Sequence, residues 1–282
     1  MRAHSNKQAF VTISVDDGYP SDLRAAELLN KYGLAATFYV PAHNPEQPVL
    51  TPEQVRQLSK RFEIGGHTMN HLPLNTLSDE QASQEIVEGK QWMEDLLGER
   101  VLAFCYPRGK FGQRVAGLVR KAGFVGARTC CLNLHGYTDD PFMWGVSTQA
   151  HNHTKGIQLR HALLERNFQG MFNFLTTYKS ATDWAIHFEH ALDHVQIRGG
   201  VAHLYLHSWE IDERNDWQKL DSVFRSISER KSLRRVTNGE LFAMCTARNY
   251  SMDSERDLAV NETAAAQSHK VQSDSSIQSP SI

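Results

Sequence analysis

From Phe10 to about Arg248 the chain alternates short apolar, β-branched runs with stretches whose apolar residues recur at helical spacing. Phe10–Val15 (FVTISV) reads as a buried strand. Ser21–Tyr32 repeats apolar side chains through Leu23, Ala26, Leu28 and Leu29, and Gly33 marks the helix stop. Ala36–Val40, Phe62–Gly65, Leu102–Tyr106, Phe124–Arg128 and His203–His207 read as further strands. Thr51-Pro52-Glu53 opens a helix to about Arg61, and the capping box Ser78-Asp79-Glu80-Gln81 opens another to about Leu97. Helices are also expected over Gln113–Ala122, Ala181–Val195 and Asp216–Ser228. Strand–helix alternation with short connections predicts an α/β fold on a parallel sheet. No Pro/Gly/Ser-rich linker interrupts it, so residues 1–250 are expected to form one domain. Residues 251–282 are rich in Ser, Gln, Asp and Ala and nearly lack aromatics. They are expected to be a mostly disordered polar tail, with a short helix possible near Glu255–Ala266.

Composition narrows the classes. Hydrophobic residues make up 40% of the 282 and charged residues 22%, which describes an ordinary globular protein. Lys+Arg 30 against Asp+Glu 32 gives a net charge of −2, which argues against nucleic acid as a partner. No run approaches the roughly eighteen apolar residues a membrane helix needs. Met1–Gln8 lacks the apolar region of a secretory signal. Cys105, Cys130, Cys131 and Cys245 form no CxxC pattern and read as reduced thiols. Together these features predict a cytoplasmic protein. Fourteen His raise the expectation of metal or proton-transfer chemistry.

The candidate chemistry gathers at predicted strand ends, where parallel α/β folds place functional groups. Asp16-Asp17-Gly18 follows the first strand. In extended backbone its two carboxylates point apart, so one can bind a metal while the other does a different job; the alternative is a solvated turn. Gly65-Gly66-His67-Thr68-Met69-Asn70-His71 follows another strand. Its two imidazoles, four residues apart, share one face of a helical turn and suit Zn²⁺. With an aspartate from a separate strand end they make a two-His, one-carboxylate set. Tyr106-Pro107-Arg108-Gly109 is a stiff loop able to aim a backbone N–H at an oxyanion. Tyr205, His207 and Trp209 alternate onto one face, and a strand-end His beside aromatics suits a general acid.

Four such motifs in this order resemble the polysaccharide deacetylases, the NodB-homology domains of carbohydrate esterase family 4, over about Ala9 to Leu241. The resemblance implies a distorted, incomplete (β/α) barrel. It also implies metal-dependent removal of N- or O-linked acetyl groups from a saccharide. By that carry-over Asp17, His67 and His71 hold one divalent ion, Zn²⁺ first, with Co²⁺, Ni²⁺ or Mn²⁺ as alternatives. Asp16 is the general base, His207 the general acid, and the backbone N–H of Arg108 helps bind the oxyanion. Tyr106, Tyr205, Trp209, His151 and His153 are candidate substrate contacts.

The chain departs from the family pattern in places. Cys105 stands where the common third motif has Arg, leaving Arg108 as the candidate partner of Asp16. Ser208 stands where an Asp often follows the motif's His. Asp183-Trp184 resembles the family's Asp-Trp motif or is a helix cap. His187, His190 and His194 read as a partly exposed helix face. The apolar helix Gln169–Tyr178 is a candidate interface for a homo-oligomer. Two other functions stay open: an amidohydrolase or deformylase acting on a formamido sugar or small amide, and a non-catalytic carbohydrate-binding protein on the same scaffold.

Overall fold

A computed structural model describes residues 8–246. The polar tail, with its expected helix, lies outside the described residues. The strands are β1 (Ala9–Asp16), β2 (Thr37–Val40), β3 (Glu63–Gly66), β4 (Ala103–Cys105), β5 (Gly126–Arg128), β6 (Thr148–Gln149), β7 (Gly200–His207) and β8 (Arg234–Arg235). They form one parallel sheet in the order β5-β4-β3-β2-β1-β7-β6, with β8 also paired to β1. The segment 144–149 carries the sheet round. Trp144 bridges to Arg128 of β5, and Thr148 pairs with Leu204 of β7. The sheet is therefore curled into an incomplete barrel. Among the described residues no helix is long and apolar enough to cross a membrane.

The helices are α1 (Asp22–Lys31), α2 (Pro52–Ser59), α3 (Asp79–Leu97), α4 (Gln113–Lys121), α5 (Lys155–Leu164), α6 (Phe168–Thr176), α7 (Trp184–Arg198), α8 (Ser208–Arg214) and α9 (Trp217–Glu229). Local chemistry sets their starts. Thr51 with Gln54 and Ser78 with Gln81 close full capping boxes at α2 and α3. The Asp183 carboxylate accepts from Ala185 and Ile186 N–H, so it caps α7, which begins three residues later than its apolar pattern suggests. Of that helix's three histidines, His187 is buried rather than exposed. It stacks on Tyr178 at 4.1 Å and contacts Thr148 and Asn133.

Parallel register puts every candidate strand end at one edge. Asp16 pairs with His207 on one side and Tyr39 on the other. Gly66 pairs with Val40 and Phe104, and Cys105 with Arg128. β1 and β7 are buried almost throughout, so this edge rests on the apolar core.

The loop after β3 is braced from outside by α3. Met69 N–H donates to Glu85 O, and the Glu85 carboxylate accepts from Asn70 N–H at 2.8 Å and from Asn70 Nδ2 at 2.7 Å. One turn on, Gly89 lies so close that an added Cβ would sit 2.5 Å from Thr68 C and 2.6 Å from Met69 N. Those neighbours are backbone, so a side chain can enter only by moving the His67–His71 loop. Gly89→Ala is expected to destabilise the protein by about 1–3 kcal/mol despite Ala's better helix propensity, measured by denaturant unfolding.

Candidate active site

Asp16 ends β1 in extended backbone, but Asp17 turns to φ 78° and Gly18 to φ 62°. The chain leaves its extended course in this left-handed turn, and both carboxylates come within 3.9 Å of His207 Nε2. His67 and His71 are likewise not on a helix. They flank an irregular loop in which Thr68 (φ 69°) and His71 (φ 55°) are left-handed, which leaves the ring centroids 4.9 Å apart. Left-handed backbone at non-glycine residues is strained, and here it recurs at the site.

Asp17 Oδ1 lies 3.5 Å from His67 Nε2 and 3.2 Å from His71 Nε2, while Asp17 Oδ2 accepts from Trp209 Nε1 at 3.2 Å. One ligand atom from each of Asp17, His67 and His71 falls within 4.8 Å of the others. His67 Nδ1 donates to the Cys105 carbonyl at 2.8 Å, which leaves Nε2 with its lone pair facing the cluster. Burial holds the His67 pKa below its ordinary value despite the nearby carboxylates, so the ring is neutral. Both His71 nitrogens are buried without an aligned hydrogen bond. Burial alone would raise the Asp17 pKa, but His67, His71 and the charge of His207 hold it far below the usual carboxylate range. Two imidazoles and one ionised carboxylate, with both His71 nitrogens otherwise unsatisfied, fit a divalent cation. A second donor group, Asp16–His67–Cys105, fits less well. Burial pushes the Cys105 thiol pKa well up, and Asp16 already carries a cation.

That cation is Arg128, not Arg108. Arg128 closes β5, is fully buried, and its Nη2 donates to Asp16 Oδ2. Its guanidinium lies over the Tyr205 ring at 4.5 Å and the Tyr39 ring at 5.5 Å, and Nη1 donates to Cys130 Sγ at 3.2 Å. Cys105 leaves room: its Sγ sits 3.7 Å from Asp16 Oδ2. Asp16 Oδ1 is buried with no hydrogen-bond partner among the described residues. Arg108 instead pairs with Glu46 at 2.7 Å, half in solvent.

His207 Nδ1 bonds Glu210 Oε2 at 2.9 Å, and its Nε2 lies 3.9 Å from both Asp16 and Asp17. Glu210, three residues on in the first turn of α8, is the orienting carboxylate that Ser208 does not supply. Burial disfavours the charged imidazole. The Glu210 hydrogen bond and the charges of Asp17 and Asp16 outweigh it and lift the His207 pKa to about 9. Glu210 also accepts from Gln149 Nε2 at 3.1 Å and lies 2.8 Å from His151 Nδ1.

Asp16, Asp17, His67, His71 and His207 line a cleft of about 570 Å³ together with Tyr106, Arg108, Lys110, Tyr205 and Trp209. His151 and His153 are not on its wall. His151 stands behind Glu210, and His153 bonds Gln149 at 3.0 Å. Tyr106 is fully buried and its hydroxyl donates to the Phe142 carbonyl at 2.9 Å, so that hydroxyl is not free for a ligand. His161, Leu164 and Glu165 of the α5 region line the cleft as well, and no motif pointed to them.

Residues 3–127 match the family model described as polysaccharide deacetylase. Over that first part the chain is similar to polysaccharide deacetylases. It is 32% identical over 122 residues to a peptidoglycan-N-acetylglucosamine deacetylase of Bacillus cereus, covering 42% of this chain and 55% of that protein. The chain spans about half the length of the curated relatives it matches. The fold is shared more widely. A Mycobacterium smegmatis crystal structure assigned to the polysaccharide deacetylases aligns over 88% of this chain and 93% of its own, at TM-score 0.59 and 12% identity. The chitin deacetylase of Colletotrichum lindemuthianum aligns over 83% and 87%, at TM-score 0.53 and 17% identity.

Two outcomes check this geometry. Arg128→Met strands a buried carboxylate and is expected to cost about 3–5 kcal/mol in denaturant unfolding. Adding Asp16→Asn should recover much of that loss, which a double-mutant cycle reads directly. His67→Ala and His71→Ala should each lose nearly all bound metal in elemental analysis, while Arg108→Ala keeps it.

Proposed function

We propose that the chain is a metal-dependent hydrolase that removes an acetyl group from a sugar or saccharide. The observation that carries this reading is the meeting, in one cleft, of the Asp17–His67–His71 cluster with an Arg-held Asp16 and a Glu-held His207. Kinship with a peptidoglycan-N-acetylglucosamine deacetylase supports the substrate class.

Asp17, His67 and His71 would hold one divalent ion, and we favour Zn²⁺ for its match to two imidazoles and a carboxylate. The chemistry such an ion supplies when bound is polarisation of the acetyl carbonyl and a lower pKa for water. Asp16 is the general base. Arg128 fixes one of its oxygens, and the unpartnered Oδ1 takes the proton of the attacking water. Asp17 cannot share that task, because its Oδ1 faces the two imidazoles and its Oδ2 accepts from Trp209. The loop Tyr106–Gly109, left-handed at Arg108 (φ 55°), offers the Arg108 N–H to the oxyanion. His207 Nε2 donates its proton to the leaving nitrogen or oxygen while Glu210 fixes the opposite ring nitrogen. Tyr205 and Trp209 flank His207, with ring centroids at 5.8 Å and 5.6 Å, and form an apolar wall for a sugar face.

Acid and base are separable by leaving group. His207→Ala should lower kcat on an N-acetyl sugar by about 10²–10⁴-fold and spare an activated phenyl acetate far more, with metal content unchanged. Asp16→Asn should depress both substrates. Equal loss on both substrates in His207→Ala, or loss of its metal, would contradict the acid role. The pH profile gives a second check. His207 must be protonated to act, and its pKa is raised, so activity falls as pH rises through about 9. Glu210→Gln removes a stabiliser of the imidazolium, so the basic limb of kcat/KM should move to lower pH.

A further inference from the structure

The helix pair α5–α6 carries an apolar surface that the fold does not use. Leu163 (61%), Leu164 (69%), Phe168 (59%) and Phe172 (61%) are largely exposed, and so are Ile157 and Leu175. Phe168, Phe172 and Leu175 recur at i, i+4 and i+7, so they form one stripe along α6. The opposite side of α6 is already packed through Gly170, Asn173 and Phe174. A helix apolar on both sides is stable only when something covers the outer one. The six side chains, three of them in one stripe along α6, together uncover on the order of 500 Å², and exposed apolar area on that scale is commonly functional.

Charge says what covers it. Residues 155–179 hold Lys155, Arg160, Arg166 and Lys179 against one acid, Glu165, a net of +3 in a chain whose total is −2. All four cations are exposed, and none makes an ion pair among the described residues. Arg160 lies between Ile157 and Leu164 on the same helical stripe (i, i+3, i+7), so cations and apolar groups share one face. A second copy related by a twofold would set these cations against their own counterparts, which opposes self-association. Apolar side chains interleaved with unpaired Lys and Arg match the boundary of an anionic bilayer, where acyl chains take the first and headgroup phosphates the second.

We propose that the outward face of α5–α6 docks on an anionic lipid surface. His161, Leu164 and Glu165 belong both to this region and to the wall of the cleft, so docking places the cleft mouth against that surface. The proposal does not depend on the catalytic reading, because lipid binding is measured without turnover.

The test is co-sedimentation of the full chain with vesicles of phosphatidylglycerol and phosphatidylcholine, and with pure phosphatidylcholine vesicles, at near-physiological salt. Binding is expected only to the anionic vesicles and should weaken as salt rises. Phe172→Glu should lower it at least tenfold. The triple variant Lys155→Gln, Arg160→Gln, Arg166→Gln should lower it on the order of a hundredfold. Both variants change exposed residues and should keep wild-type circular dichroism and wild-type turnover of a soluble acetyl ester. Wild-type protein left in the supernatant would overturn the proposal. So would binding that survives both variants, or a wild-type dimer in light scattering that Phe172→Glu converts to monomer.

Discussion

Burying adjacent carboxylates at the end of a central strand carries a desolvation cost of several kcal/mol per ion unless each finds a partner in place. Asp16 and Asp17 are 2% and 6% exposed, so the cost applies to both. Each is met by a different set of groups. Arg128 arrives from β5, four strands away in the sheet, and binds Asp16. His67, His71 and Trp209 converge on Asp17 from β3's loop and from α8. Much of the edge follows from these two pairings. Tyr39 and Tyr205 cover the Arg128 guanidinium. Gly65 has no side chain because a Cβ there would lie 2.4 Å from the Tyr39 ring. Cys105, small and held as a thiol, lets the guanidinium through.

The two carboxylates differ in their partners, and the proposed division of roles rests on that difference. A guanidinium pins Asp16 by one oxygen and leaves the other to act as the proposed base. The two imidazoles face Asp17, and the His67 Nδ1 bond to the Cys105 carbonyl leaves its Nε2 lone pair toward the cluster, which suits a divalent cation. His207 stands between them, 3.9 Å from each, and its charge is supported from behind by Glu210. Glu210 is in turn set by His151 and Gln149. His151 thus contacts Glu210 rather than lining the cleft.

Most of the fold was legible in the chain because the period of its apolar pattern changes cleanly between strand and helix. The strands missed were β6 and β8, two residues each, too short to show a period. α8 was hidden because Tyr205, His207 and Trp209 continue a strand-like alternation past the true strand end at His207. That error also hid Glu210, whose i+3 spacing from His207 matters only if the chain turns helical at Ser208. Arg128 was hidden for another reason. It lies 112 residues from Asp16 and in sequence resembles any polar strand end, so only the sheet order brings them together. The HxxxH spacing picked out two residues whose rings do meet, but on an irregular loop rather than a helical turn. Left-handed φ at Thr68 and His71 leaves no periodic trace in a sequence.

The most direct measurement is acetate release from N-acetylglucosamine oligomers by the full chain, before and after exhaustive chelation and after return of Zn²⁺. The account predicts release that chelation abolishes and that one equivalent of Zn²⁺ per chain restores, with no restoration in Asp17→Ala. Acetate release that persists unchanged after the metal is removed would contradict it.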